Sequence, residues 1–155
     1  MRPTAERRPR RRFYLDTSAY LCILLGEDGA DRMSTELAGA ELLSSVILVL
    51  EARRNLVRLA RSGALTAGEY KTCLDRLEED TQLFVLRDLT IDLCAAGNLP
   101  AVATPRSLDL AHLRTAQWFH AAEAITGFVT LDRTQLQAAG ELGLPVLPAT
   151  RPRRG

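Results

Sequence analysis

Four carboxylates lie where an α/β fold would bring them together. Asp16 ends the apolar run FYL, Asp132 follows GFVTL, and Asp109 opens an amphipathic segment. Glu51 lies in a helical pattern that begins just after ELLSS. In an open parallel sheet, functional groups collect at the carboxyl ends of strands, and acids that converge there repel one another unless a cation intervenes. A hard divalent ion such as Mg²⁺ prefers oxygen ligands, so the acids indicate metal-assisted phosphoryl chemistry.

Each acid also has a purely structural interpretation. Asp16 and Asp132 precede helices, where Asp is a favoured N-cap, and Gln135 stands three residues after Asp132. Asp109 falls in the first turn of its helix, where the helix dipole favours a negative charge. Glu51 could be a solvated residue on a helix flank. The joint pattern, more than any single acid, predicts a site.

Hydroxyl side chains accompany two of the acids. Thr130 lies two residues before Asp132, so both side chains are expected on the same side of the strand. A hydroxyl beside a carboxylate suits a water or metal ligand. Thr17 and Ser18 stand in a similar relation to Asp16, although helix capping explains them equally well.

His112 lies one helical turn after Asp109 and should face roughly the same way. It could contact a substrate phosphate or donate a hydrogen bond to a carboxylate, and a packing or supporting role is favoured because metal-assisted phosphoryl chemistry needs no histidine. Trp118, Phe119 and His120 are interpreted as core or interface residues.

Strand and helix patterns alternate along the chain without hairpin signals. Apolar runs predict strands at 13–16, 41–45, 82–86, 127–131 and 145–148. Helical periodicity predicts helices at 17–25, 29–39, 45–62, 66–80, 90–96, 107–123 and 133–142. Thr66 and Glu69 form a capping box, and Ser107 is a good N-cap. This order predicts an α/β fold with a parallel sheet and helices on both faces.

Length and composition are those of one globular domain, with 155 residues, 46% hydrophobic and 25% charged. Three widely spaced cysteines show no Cys/His ligand spacing, so we expect reduced thiols, no zinc and a cytoplasmic setting.

Asp16 interrupts the apolar run after the Arg-rich start, which argues against a signal peptide. No apolar stretch approaches the length of a membrane span, so a soluble protein is expected.

The net charge of +1 hides a strong asymmetry. Residues 1–12 carry a net charge of +5 and residues 151–155 a net charge of +3. The remaining 138 residues hold 11 basic and 18 acidic side chains, a net charge of −7. We therefore expect a folded domain over 13–150 between a basic, disordered extension at 1–12 and a basic tail at 151–155. A nucleic-acid-binding arm is the alternative for these ends.

Four motifs in register resemble the PIN domain, and more narrowly the VapC-type ribonuclease toxins of bacterial toxin–antitoxin pairs. They are YLDTSAY, SSVILVLE, SLDLAHLRTA and FVTLDRTQLQAAGELGLPVL, and they span residues 13 to about 148. The resemblance implies a PIN-like three-layer α/β/α sandwich with a central five-stranded parallel sheet over 13–150. It also implies an endoribonuclease that depends on Mg²⁺ or Mn²⁺.

The resemblance assigns roles to particular residues. The family's acidic quartet falls on Asp16, Glu51, Asp109 and Asp132. The three aspartates are expected to bind metal directly, and Glu51 to bind it through water or to orient the attacking water. One or two ions would activate that water against an RNA phosphodiester. The auxiliary groups would be Thr17 or Ser18, Thr130, and His112 as a supporting residue.

Partners also follow from the resemblance: an RNA substrate, a cognate antitoxin protein and a second copy of the chain in a homodimer, with no membrane.

The chain departs from the family pattern in two places. Arg114 replaces a small residue in the segment after Asp109, and the basic extension before Phe13 is longer than the family needs. Neither departure changes the acids.

Three other functions compete. A phosphoryl-receiver domain needs a lysine at the end of a late strand, whereas Lys71 is the only lysine and lies in a mid-chain helix. A haloacid-dehalogenase-type phosphotransferase needs a second Asp two residues after the first, where this chain has Ser18. A catalytically silent PIN-like binding module is the remaining alternative, and the intact acidic quartet counts against it.

Overall fold

A five-stranded, all-parallel sheet forms the centre of the molecule in the computed structural model, which describes residues 9–95, 99–104 and 106–148. In chain order the elements are β1 (Arg12–Leu15), α1 (Thr17–Leu25), α2 (Ala30–Leu37), β2 (Glu41–Ser45), α3 (Ile47–Arg61), α4 (Ala67–Thr81), β3 (Phe84–Arg87), α5 (Ile91–Ala95), α6 (Ser107–Ala122), β4 (Gly127–Thr130), α7 (Arg133–Glu141) and β5 (Val146–Pro148). The strand order is β3-β2-β1-β4-β5, so all strands end at one side, called here the carboxyl edge.

The two faces of β1 bury different side chains, because successive residues of a strand point in opposite directions. Tyr14 stacks on Phe128, with ring centroids 5.3 Å apart, and packs with Leu43 against α6 and α7. Phe13 and Leu15 pack against α1 and α2 on the other face. Burial on both faces explains why β1 and β4 are mostly apolar along their whole length. The predicted α/β/α sandwich with a five-stranded parallel sheet is therefore confirmed.

A helical hairpin of α3 and α4 packs beside α1. Tyr20, Leu48, Leu56 and Leu77 form its buried cluster. The predicted capping box is present at the start of α4, where the Thr66 hydroxyl and the Glu69 carboxylate each accept from the other residue's backbone N–H. This hairpin fixes the first turns of α3 next to the carboxyl edge.

Most element boundaries differ from prediction by one or two residues, and two differences have a clear cause. β3 begins at Phe84 instead of 82, because residues 82 and 83 still belong to the end of α4, where their backbone N–H groups donate to the carbonyls of Glu79 and Asp80. Ser107 is the first residue of α6 and not its N-cap. Arg106 occupies the cap position and makes no side-chain capping bond.

The predicted extension at 1–12 extends too far into the chain. Arg12 is the first residue of β1, is 7% exposed, and donates to Glu41 at 2.6 Å and to the Glu123 carbonyl. Arg11 donates to two backbone carbonyls at the end of α2. Residues 1–8 and 149–155, with most of the predicted basic ends, lie outside the described residues.

Within the described residues, no helix has both the length and the apolar character needed to cross a bilayer.

Candidate functional site

One pocket at the carboxyl edge is lined by all four predicted acids. It has a volume of about 230 Å³. Asp16 follows β1 and Asp132 follows β4, two neighbouring strands whose ends are in register. Glu51 comes from the second turn of α3 and Asp109 from the first turn of α6. The other lining residues of this acid pocket are Thr17, Ser18, Leu21, Asn55, Arg106 and His112.

Asp16 is both a helix cap and a wall of the pocket. Its Oδ1 accepts from the Ala19 N–H at 3.1 Å and from the Ser18 hydroxyl at 2.7 Å. Its Oδ2 accepts from the Thr130 hydroxyl at 2.5 Å. Burial raises the pKa of Asp16, although the nearby His112 and the hydroxyl donors oppose that rise. The capping interpretation is therefore correct, and it does not remove the carboxylate from the pocket.

Thr130 contacts a different carboxylate from the one expected. Its hydroxyl was expected beside the Asp132 carboxylate, but it donates to Asp16 and accepts the backbone N–H of Asp132 at 3.0 Å. The reason is the register of β1 and β4: Leu15 lies opposite Val129, which brings the residues after each strand together. Thr130 therefore joins the two strand ends.

Glu51 is held by a buried network that includes His112. Glu51 Oε1 accepts from the Thr17 hydroxyl and from His112 Nε2, each at 2.8 Å. The other ring nitrogen of His112 lies 2.9 Å from the Tyr14 hydroxyl. Burial acts to raise the pKa of Glu51, but hydrogen bonding and charge from His112, with the Thr17 hydroxyl, lower it overall. Of the two contacts expected for His112, the structure has the one to a carboxylate.

Arg106 bridges the remaining two acids. Its Nε donates to Asp109 Oδ2 at 2.7 Å and its Nη2 donates to Asp132 Oδ2 at 2.6 Å. The Arg106 side chain is 65% exposed. Asp109 also accepts from the Thr104 hydroxyl at 2.9 Å. The positive charge expected between carboxylates is thus present here, supplied by a guanidinium.

Asp132 and Gln135 link α7 to the site in different ways. Asp132 Oδ1 caps α7 by accepting from the backbone N–H groups of Thr134 and Gln135. The side chain of Gln135 does not complete a capping box. It is fully buried and donates to the Asp109 carbonyl at 3.0 Å, which fixes α7 against the start of α6.

The fit of a metal ion can be judged from these donors. Across the described residues, no group of three or more His, Cys, Asp or Glu side chains is arranged to hold an ion directly. Asp16 faces hydroxyl groups, Glu51 faces His112, and only Asp109 and Asp132 share a cation. The donors are nevertheless carboxylate oxygens, which suit Mg²⁺ or Mn²⁺, and the exposed Arg106 fills a cation position that both acids reach.

Sequence reasoning missed Arg106, Thr104 and Tyr14 as parts of this site. Only Arg106 carried a usable signal, because a cation three residues before Asp109 can reach it around a helix start. Asn55, whose side chain donates to the Glu51 carbonyl at 2.9 Å, lies one helical turn after Glu51 and also lines the pocket.

No protein-family model matches the chain, and a search of curated proteins found no significant match.

Proposed function

We propose that this protein is a divalent-metal-dependent endoribonuclease. The proposal depends on one observation above all: four carboxylates from four separate chain segments line a single pocket at the carboxyl edge. The motif resemblance to PIN-domain ribonucleases supports the same function from the sequence side. A silent binding module is the second candidate, favoured by the Arg106 bridge, which satisfies two of the acids without a metal.

Helix capping alone does not explain why these carboxylates lie in the pocket. Asp16 caps α1 through Oδ1, yet its Oδ2 is directed to Thr130 and not to the helix. Asp132 caps α7 through Oδ1, and its Oδ2 faces Arg106 in the pocket. Glu51 lies beyond the first turn of α3 and caps nothing.

Asp16, Asp109 and Asp132 would hold the ion, with Glu51 acting through water. A bound divalent ion supplies Lewis acidity and lowers the pKa of a water molecule. The chain's own residues then position the reactants. His112 and Thr17 keep Glu51 ionised and fixed, so that it can accept a hydrogen bond from the attacking water. Arg106 is exposed at the pocket and can bind a phosphate oxygen of the RNA.

The cognate antitoxin, a homodimer and a cytoplasmic location are proposed from the resemblance and the reduced cysteines. An acidic pocket suits an antitoxin that places a basic residue among the carboxylates. Expression of the chain alone should then arrest growth, and co-expression of the antitoxin should relieve the arrest.

Metal dependence tests the nuclease directly. The purified chain should cleave a single-stranded RNA in Mg²⁺ or Mn²⁺ and should stop when excess chelator is added. The same ions should raise the melting temperature in a concentration-dependent way, because they bind only the folded arrangement. Cleavage that survives chelator would overturn the metal mechanism. Metal binding without cleavage of any RNA would favour the binding module.

A further inference from the structure

A second pocket, of about 390 Å³, lies between β3, α5 and α6. Its lining residues are Arg87, Asp92, Leu93, Arg114, Gln117 and Trp118, and it is called here the Trp118 pocket. Arg87 is the last residue of β3, so this pocket includes a residue of the carboxyl edge. α6 contributes to both pockets, with Asp109 and His112 near its start and Trp118 further along.

The Trp118 pocket presents two cations that lack counter-ions. Among the described residues, neither Arg87 nor Arg114 has a carboxylate oxygen within 4.0 Å. Within the part of the chain that the structure describes, the Arg87 and Arg114 side chains donate only long hydrogen bonds, at 3.3 Å to the Asp88 carbonyl and at 3.4 Å to the Leu93 carbonyl. Of the described lining residues, two are cations and Asp92 alone is an acid, so together they carry a net positive charge. Since residues 13–150 are acidic overall, this local excess of positive charge favours an anionic ligand.

Two polar atoms in this pocket are buried without a partner. They are Nε of Arg87, a donor, and Oε1 of Gln117, an acceptor. Buried polar groups in proteins are nearly always hydrogen-bonded, so such atoms call for an explanation. Both atoms have almost no accessible surface, so a ligand in the pocket meets the exposed parts of the Arg87 and Gln117 side chains, and a small shift of either side chain would bring its unpaired atom to the ligand.

Trp118 adds an aromatic surface to these polar groups. It is 45% exposed, and the Arg87 guanidinium carbon lies 4.7 Å from its ring centroid. Phe119 holds the indole edge-on, with ring centroids 5.2 Å apart. Nucleobases stack on aromatic rings and guanidinium planes, and phosphates pair with Arg. An anion that also carries an aromatic ring is therefore the best chemical match, and a nucleotide is such an anion.

We propose that the Trp118 pocket binds one nucleotide of single-stranded RNA, with the base stacked at Trp118 and Arg87 and a phosphate on Arg114. This inference rests on the proposed function, since the same strand would reach the acid pocket. Arg114 and Trp118 follow Asp109 by five and nine residues on α6. They therefore lie about 7.5 and about 13.5 Å further along the helix axis. A few nucleotides of one strand can cover that span.

Trp118 is the only tryptophan, so its fluorescence reports on this pocket alone. The full chain in chelator is titrated with an unstructured oligoribonucleotide, and its emission should be quenched saturably. Arg114→Met should weaken the affinity about tenfold, the equivalent of about 1.4 kcal/mol. It should also reduce the salt slope by about 0.7, as expected when one phosphate contact to a single strand is lost. Arg32→Met is the matched control, because Arg32 is exposed on α2, across the sheet from α6.

Different results separate this inference from the nuclease proposal. RNA that is bound and cleaved without any change in Trp118 emission would overturn the subsite and leave the nuclease intact. Saturable quenching in a protein that cleaves no RNA with any metal would leave the subsite and overturn the nuclease. Equal affinities of Arg114→Met and Arg32→Met would also overturn the inference. So would emission that changes with protein concentration but not with RNA, which would mark a contact between copies of the chain.

Discussion

Arg106 donates a 2.6 Å hydrogen bond to Asp132, a residue 26 positions later in the chain and on a different element. The same guanidinium also contacts Asp109, so one side chain neutralises the two acids whose mutual repulsion the sequence predicts. The start of α6 and the end of β4 are thereby joined across the acid pocket. If the proposed metal ion binds here, it must compete with this guanidinium for the same oxygens.

Replacing single acids should separate the metal-binding role from the capping role. Asp16→Asn, Asp109→Asn and Asp132→Asn should each abolish metal-dependent cleavage, because an amide keeps the shape but loses the charge that holds the ion. Glu51→Gln should reduce the rate about 10–100-fold, as expected for a group that acts through water.

Glu78→Gln is the control for these acid replacements, because Glu78 is an exposed acid on α4, away from the acid pocket. Initial cleavage rates in saturating Mg²⁺ are the measurement. Full activity in any of the three Asn variants would remove that residue from the site.

Removing the Arg106 cation should strengthen metal binding. Arg106→Met leaves Asp109 and Asp132 without their shared partner, so the metal-free protein should be less stable and the midpoint for Mg²⁺ lower, by at least about fivefold. Thermal unfolding over a Mg²⁺ titration measures both quantities. Arg32→Met controls for the loss of one positive charge. An unchanged Mg²⁺ midpoint would show that metal and guanidinium use different oxygens.

Local sequence signals were enough to predict the fold. The two strands β1 and β4 are short, mostly apolar runs buried on both faces, and the capping box at Thr66 appears as expected. The start of β3 was predicted two residues too early because the apolar Leu83 resembles a strand residue, whereas its backbone N–H still donates to the Asp80 carbonyl at the end of α4. This boundary depends on backbone hydrogen bonding and not on residue type.

The sequence predicts which acids line the candidate site, but it does not predict which side chains contact them. Strand ends locate Asp16 and Asp132, because the carboxyl ends of parallel strands always meet at one edge. The partner of Thr130 depends on the register of two strands that are distant in sequence. The reach of Arg106 depends on where α6 meets β4. Tertiary geometry decides both contacts, and no local pattern encodes it.

Replacing the buried His112 should lower both the stability of the fold and the rate of RNA cleavage, and the two effects can be measured separately. His112→Ala leaves a cavity and removes a hydrogen-bond partner from both Tyr14 and Glu51, so the free energy of unfolding should fall by about 3 kcal/mol. Tyr14→Phe keeps the packed ring but leaves the buried Nδ1 of His112 without this partner, so it should cost about 1–2 kcal/mol. Denaturant unfolding measures both values.

Cleavage by His112→Gln tells whether the residue only supports Glu51. A positioning role predicts a rate loss of about 10–100-fold with an unchanged requirement for metal. Complete loss of cleavage by a folded, metal-binding His112→Gln protein would instead place the imidazole in the chemistry.

Asp16 and Glu51 should make opposite contributions to the pH dependence of stability. Burial raises the pKa of Asp16, so its contribution is present at low pH and is lost as pH rises from about 3.9, the unfolded value, through the folded pKa. His112 and Thr17 lower the pKa of Glu51 against its burial. Its contribution is therefore present above about 4.3 and is lost as pH falls through the folded pKa.

Urea unfolding of metal-free protein between pH 3 and 7 measures these two slopes. Relative to wild type, Asp16→Asn should gain stability as pH rises, and Glu51→Gln should lose it. Glu78→Gln should follow the wild-type curve. Parallel curves for all four proteins would contradict the assigned pKa directions.

The basic N-terminus should divide into a structural part and an RNA-binding part. Arg12 forms a 2.6 Å ion pair with Glu41, and the side chains are 8% and 17% exposed. Arg12→Met removes the closer of the two arginines that pair with Glu41, leaving Arg10 at 3.2 Å, and should destabilise the fold by about 1–3 kcal/mol. Deleting residues 1–8 keeps Arg11 and Arg12, so the free energy of unfolding should not change. RNA binding should weaken and depend less on salt concentration, while the cleavage positions stay the same. Denaturant unfolding and RNA titrations at several salt concentrations measure the two effects. Truncated protein with an unaltered salt slope would show that Arg2, Arg7 and Arg8 do not contact RNA.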